Sequence, residues 1–172
     1  MDTLLEKAAK IKLVILDVDG VLTDGKVTYT SEGEELKSFN IKDGLGIKLL
    51  QKASIKVGII TGRNSPMVAR RASELGIDPI VQGREDKAEA MKAVAETCEL
   101  TYAQIAYMGD DLPDLGALRL AGLAFAPADA HAEVLAVTDW TATRGGGQGA
   151  VREMCDHLLT SRGDYARVVA SF

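Results

Sequence analysis

Asp17 and Asp19 stand one residue apart at the end of a short apolar run, residues 13–18. Such a run, β-branched and bounded by charge, predicts a strand buried on both faces. Three further segments attach polar groups to comparable runs. Thr61-Gly62-Arg63 follows 57–60, Lys87 opens the segment after 79–81, and Gly109-Asp110-Asp111 follows Ile105–Met108, with Asp114 close behind. In parallel α/β sheets ligands collect at the carboxyl ends of strands, so these four segments predict one shared site.

Carboxylates meeting on one edge would repel each other and raise each other's pKa unless a cation came between them. An all-oxygen donor set with positions left for water and phosphate suits Mg²⁺. The ion would also offset the charge that Asp17, Asp110 and Asp111 present to an anionic substrate. Lys87, with the hydroxyl and N–H groups around Thr61, supplies donors for phosphoryl oxygens. Asp17 is then placed to attack phosphorus and form an aspartyl-phosphate. Asp19 can protonate the departing ester oxygen and later take a proton from the attacking water. Taken singly, the segments have plainer readings. Thr61-Gly62-Arg63 reads as a strand-to-helix turn, Lys87 as a solvated lysine, and Asp111 and Asp114 as first-turn carboxylates favoured by a helix dipole.

The elements that must position these groups are legible as alternation. Strand-like runs at 13–18, 57–60, 79–81, Ile105–Met108, Leu123–Ala126 and around Trp140 are separated by helix-length segments at 46–53, 65–75, 86–98, 112–120 and 149–159. That pattern predicts an α/β fold, a doubly wound parallel sheet with helices on both faces. Ser65-Pro66 places a capping side chain before a first-turn proline, and Gly76 marks the stop of that helix. One segment departs from the alternation. Residues 26–40 read as two β-rich halves about a polar turn, a β-hairpin projecting from the carboxyl edge of the sheet. A lone hairpin is marginal in water, so this one is expected to pack against something else.

At 172 residues the chain is sized for a single domain, and the Gly-rich run 145–149 is too short to be a linker. With 47% hydrophobic and 26% charged residues it is not a disordered chain. A net charge of −5 and the lack of a basic run argue against nucleic acid as a partner. No stretch approaches the roughly 18 apolar residues of a membrane span, and MDTLLEKAAKIK lacks the apolar core of a signal peptide. Cys98 and Cys155 are too few for a disulfide framework, which predicts a soluble protein of a reducing cytoplasm. His131 and His157 stand alone, without metal-ligand spacing, and read as structural or surface residues.

In their order, DVDGVLTDG, TGR, Lys87 and GDDLPD resemble the four motifs of the haloacid dehalogenase-like phosphohydrolases. The resemblance implies a Rossmann-like sheet, Asp17 as nucleophile and Asp19 as acid and base. Thr61 and Lys87 would hold the phosphoryl group, with Gly62 and Arg63 also on the substrate side. Asp17, Asp110 and the backbone carbonyl of Asp19 would bind Mg²⁺, with Asp111 behind them and Asp114 holding the loop. The second aspartate favours phosphoryl transfer over dehalogenation.

Spacing narrows the resemblance. Asp19 and Thr61 lie 42 positions apart and Thr61 and Lys87 only 26, which leaves no room for a cap domain. The stretch 17–50 and the segment GGGQGAVREMCDHLL are similar to the 3-deoxy-D-manno-octulosonate (Kdo) 8-phosphate phosphatase family. That family implies release of Kdo and phosphate in building the lipopolysaccharide inner core. It also implies a homotetramer, assembled through hairpins, in which neighbouring chains complete each site. Two alternatives stay open: a phosphatase for a nine-carbon sialic-type acid 9-phosphate, and a non-catalytic assembly module. Intact Asp17, Asp19, Lys87 and Asp110 argue against the module. Arg63 reads either as a grip on a sugar-acid carboxylate or phosphate or as an outward salt bridge. Arg144 with the glycine run reads as a flap near a neighbouring site or an exposed loop. The tail 160–172 either orders on assembly or frays.

Overall fold

Each of the short apolar runs forms a strand in the computed structural model, which describes residues 2–172. The first half of the chain builds α1 (Leu4–Lys10), β1 (Leu13–Leu16), a hairpin of β2 (Thr28–Tyr29) and β3 (Glu35–Leu36), α2 (Ile41–Lys52), β4 (Lys56–Ile60), α3 (Pro66–Leu75) and β5 (Ile80–Val81). The second half adds α4 (Lys87–Thr97), β6 (Ile105–Met108), α5 (Leu115–Leu120), β7 (Leu123–Ala126), α6 (Ala132–Leu135), β8 (Trp140–Thr141), α7 (Ala150–Ser161) and α8 (Tyr165–Val169).

Six strands pair in the order β5-β4-β1-β6-β7-β8, every pair parallel. The chain lays down β1, β4 and β5 outward in one direction, then returns to β6 and builds the other way. The strand order therefore reverses between β1 and β6, and their carboxyl ends flank the crevice where such sheets bind ligands.

Strand alternation splits the core into two layers. Val14 and Leu16 of β1 face one side, where Ala8, Ile47, Leu50, Ala72, Met154 and Val168 join them from α1, α2, α3, α7 and α8. Leu13 and Ile15 face the other side, against Met91, Leu118 and Val134 of α4, α5 and α6. This is the doubly wound architecture, with no cap domain inserted among the described residues. No helix among those residues is long and apolar enough to cross a membrane.

Several boundaries differ from the sequence reading, each for a physical reason. β1 ends at Leu16, because the carbonyl of Val18 already accepts the N–H groups of Leu22 and Thr23 in a turn. α2 begins at Ile41, well before position 46. Gly44 and Gly46 weaken its intrinsic helicity, but Asn40 caps it at Lys42 N (2.8 Å) and α7 packs along it. The segment 112–120 divides into a 3₁₀ turn at Leu112–Asp114 followed by α5. α1 has no counterpart in the alternation, although Thr3 and Glu6 spell a capping box in which each side chain bonds the other's backbone N–H.

The tail does not fray: α7 runs to Ser161, α8 follows, and Val168 is buried in the chain's own core. Arg162 donates to the carbonyls of Ala8 (3.1 Å) and Ile11 (2.9 Å), tying this end to the exit of α1. The Lys52 ammonium lies 4.0 Å from the centre of the Phe172 ring. His157 stacks on Trp140 at 4.3 Å, a structural contact.

Candidate active site

The strand ends bring together groups from four loops. Asp17 leaves β1 with its backbone N–H still donating to the carbonyl of Met108 in β6 at 3.0 Å, so the sheet itself fixes its Cα. Thr61 is held in the same way at the end of β4 by a 2.9 Å bond to the carbonyl of Val81, and it is buried. Lys87, at the first position of α4, reaches back over the sheet edge. Its ammonium lies 3.0 Å from Asp17 Oδ1 and 2.8 Å from Asp114 Oδ1, with only about a twentieth of its side chain exposed.

Asp110 completes the cluster. One carboxylate oxygen each from Asp17, Asp110 and Asp114 lie within 4.8 Å of one another. Gly20, at φ +91°, lets the loop after β1 pass over Asp110; a Cβ at that position would come 2.0 Å from Asp110 Oδ2.

The three acids are not equivalent. Asp114 Oδ1 accepts from Lys87 and from the buried hydroxyl of Tyr107 (2.8 Å each), while Oδ2 accepts the backbone N–H of Asp110 (3.0 Å) and of Asp111 (3.2 Å). A carboxylate has about four acceptor sites, and all four are taken. Asp114 is thus a scaffold for its loop. Asp110 Oδ1, by contrast, is buried with no hydrogen-bond partner.

Charge follows from burial. Asp17 is pushed up to about 6, first by loss of solvent and then by the charge of Asp114, against the pull of Lys87. Asp110 is pushed up to about 8, again by burial first and then by Asp17 and Asp114. Burial draws the Lys87 ammonium down, but Asp17 and Asp114 outweigh it and hold its pKa above the ordinary value. A buried carboxyl and a half-buried one, both resisting ionisation and the second with an orphaned oxygen, form an all-oxygen donor set that fits a hard divalent cation.

The remaining residues singled out in the sequence stand further off. The carboxyl of Asp19 turns to the hairpin, where Lys37 donates to Oδ1 at 2.6 Å. Asp111 is exposed and caps its own turn at Leu112 N (2.8 Å). Gly62 is half-buried beside Thr61, and Arg63 is exposed and paired with Glu35 of β3 at 3.1 Å. Arg144 and Gln148 are exposed, but the glycine run between them is packed down onto the body of the protein. Gly146 is buried against the loop after β1, where a Cβ would meet the carbonyl oxygen of Gly20 at 1.9 Å, and Gly147 N donates to Val21 O at 3.0 Å. Three contributors were not read from the sequence: Tyr107, hidden inside an apolar strand, and Glu35 and Lys37, hidden in a hairpin read only for its turn.

A switch-point site with a lysine-bridged aspartate and a carboxylate pair fit for a cation defines a phosphoester-cleaving class of α/β enzyme. Comparison with known proteins agrees. A family model described as haloacid dehalogenase-like hydrolase matches residues 42–122. The chain is 43% identical over 161 residues to the 3-deoxy-D-manno-octulosonate 8-phosphate phosphatase of Yersinia pestis, covering 94% of this chain and 86% of the relative. It is 44% identical to that of Haemophilus influenzae, covering 92% and 88%. The crystal structure of the Moraxella catarrhalis phosphatase with magnesium ion, phosphate ion and KDO superposes with a TM-score of 0.95 at 44% identity, over 98% of this chain and 97% of that one. The chain belongs to the haloacid dehalogenase-like hydrolases, in their uncapped subclass, and within them to the family of 3-deoxy-D-manno-octulosonate 8-phosphate phosphatases.

Proposed function

We propose that this protein hydrolyses Kdo 8-phosphate to Kdo and inorganic phosphate, a step of lipopolysaccharide biosynthesis. It is an Mg²⁺-dependent phosphoric monoester hydrolase. The observation that carries the chemistry is the buried Lys87 bridging Asp17 and Asp114 beside Asp110 at the switch point. The sugar-acid substrate is supported by the relatives and by the KDO held in the Moraxella structure.

In this reading Asp17 is the nucleophile. Its position at the end of β1 leaves little freedom, and the contact with Lys87 favours the ionised, reactive carboxylate. Lys87 and the Thr61 hydroxyl bind phosphoryl oxygens, with Gly62 allowing close approach of backbone. Asp19, beyond the acid cluster, protonates the leaving ester oxygen and then takes a proton from the water that hydrolyses the aspartyl-phosphate. Asp17, Asp110 and the backbone carbonyl of Asp19 would hold the Mg²⁺, with Asp111 and Asp114 supporting the loop behind them. When bound, the ion neutralises charge on the phosphoryl group and so lowers the barrier to anionic attack.

An uncapped site needs another cover for a small substrate. We infer that four copies assemble through the hairpin, which exposes Val27, Tyr29 and Leu36, so that neighbours close over each site. Free thiols at Cys98 and Cys155 suit a cytoplasmic setting. The deciding assay is phosphate release from Kdo 8-phosphate, a sialic-type acid 9-phosphate and hexose phosphates, with and without Mg²⁺. The expected result is the highest kcat/KM for Kdo 8-phosphate, abolished by chelator. A preference for the nine-carbon ester would overturn the substrate, and equal rates with chelator would overturn the chemistry.

A further inference from the structure

The inner edge of the hairpin carries charges that the reaction described above leaves unused. Alternation along β3 and its exit sets Glu35 and Lys37 on one side of the strand, with the exposed Leu36 between them on the other. The Lys37 side chain is only 2% exposed; its ammonium lies 2.6 Å from Asp19 Oδ1 and 3.2 Å from Glu35 Oε1. Glu35 in turn accepts from Arg63 at 3.1 Å. Ion pairs thus run Arg63–Glu35–Lys37–Asp19 and fasten the hairpin to the loops that follow β4 and β1. Among the described residues nothing donates to the second oxygen of Asp19, Oδ2.

We propose that Lys37 is the positioning residue of the general acid: held at Oδ1 by the buried ammonium, Asp19 presents Oδ2 to the ester oxygen of the bound phosphoester. This rests on the assignment of Asp19 as acid and base made above. A general acid works only within hydrogen-bond reach of the atom it serves. An aspartate in a turn, with about a quarter of its side chain exposed, has several rotamers open to it. A buried, charge-assisted contact selects one of them. The ammonium itself is wedged between two carboxylates and turned from solvent, so it acts through Asp19 and not on the substrate.

The proton path shows where this matters. In the first half-reaction an Asp17 oxygen bonds to phosphorus and the ester P–O bond breaks. The electron pair stays on the departing oxygen, which takes the proton of Asp19. In the second half, the oxygen of water bonds to phosphorus, its proton passes to Asp19, and the bond from Asp17 to phosphorus breaks. Departure of an alkyl alcohol needs the delivered proton; departure of p-nitrophenolate, a stable anion, does not. The parameter kcat/KM reports events only as far as the first irreversible step, so it isolates the first half.

The test compares kcat/KM for Kdo 8-phosphate, glycerol phosphate, phenyl phosphate and p-nitrophenyl phosphate in the wild type, Lys37→Met, Lys37→Gln and Asp19→Asn proteins, all in saturating Mg²⁺. Both Lys37 variants are expected to lose about tenfold or more on the two alkyl esters, within the range of general acid catalysis, while p-nitrophenyl phosphate changes little. In an Asp19→Asn background the Lys37 variants should cause no further selective loss. Loss of equal size on all four esters, as misfolding or broken assembly would give, overturns the proposal, as does no loss at all. Wild-type alkyl-ester turnover by Asp19→Asn would instead overturn the assignment of Asp19 on which the proposal rests.

Discussion

Asp114 and Asp110 are four positions apart, and the difference between them is one of hydrogen bonds. Asp114 meets four donors, so its buried charge is compensated by the protein alone. Asp110 keeps an oxygen with no donor and a pKa of about 8, so its charge waits for an outside cation. Sequence made the positions of Asp17, Thr61, Lys87 and Asp110 legible because each follows a recognisable strand or opens a helix. It could not distinguish the saturated acid from the unsaturated one, because the donors come from Tyr107 inside a strand and from Lys87 across the sheet. The asymmetry predicts how two substitutions diverge. Asp17→Asn removes a charge that burial already disfavours. Phosphate release is therefore expected to vanish, while the metal-free melting temperature holds or rises. Lys87→Met strands two buried carboxylates, for which removing one partner of a buried pair typically costs about 3–5 kcal/mol. Urea unfolding of the two variants checks this; equal destabilisation would show that Lys87 does not carry the charge balance of the site.

At the scale of elements, the strands were the readable part and the connections were not. β6 and β7 match their apolar runs residue for residue, since a strand buried on both faces must be apolar throughout. The start of α2 was obscured by Gly44 and Gly46, which pack against Arg71 and Leu75 of α3 and against Arg152 and Cys155 of α7, so tertiary contact rather than propensity sets their helical state. The glycine run near Arg144 read as a flap or a loop, yet Gly146 is there because backbone crosses backbone at the loop that follows the nucleophile. The hairpin was legible as a hairpin, but not as the carrier of Lys37. Its residues Val27, Tyr29 and Leu36 are 44%, 61% and 53% exposed, Tyr29 paired across from Glu35 and Leu36 on the opposite face, on a two-stranded element that is marginal by itself. If they form the assembly surface, changing all three to Ser should break the proposed tetramer into smaller species by light scattering. A triple variant that keeps the oligomeric state of the wild type would place the interface elsewhere.

For the whole molecule, the site couples stability to pH and to the ion. Asp17 and Asp110 have an ordinary carboxyl pKa of 3.8 and folded values of about 6 and about 8. Between those limits the folded state binds more protons than the unfolded chain, so the metal-free protein loses stability as pH rises through the window. A cation held by the same two carboxyls requires their ionised forms and competes with those protons, so its binding strengthens over the same range. The two slopes oppose each other, and the gap between them is the stabilisation the ion contributes. The rise in melting temperature on adding a fixed Mg²⁺ concentration should therefore be larger above about pH 8 than near pH 6, and titration calorimetry in buffers of different ionisation enthalpy should show proton release on binding. Asp110→Asn should flatten both effects. A melting-temperature gain that is equal at the two pH values, or larger in acid, would mean that Asp17 and Asp110 do not share an ion, and the reading of the switch point as a metal-assisted phosphatase site would fail with it.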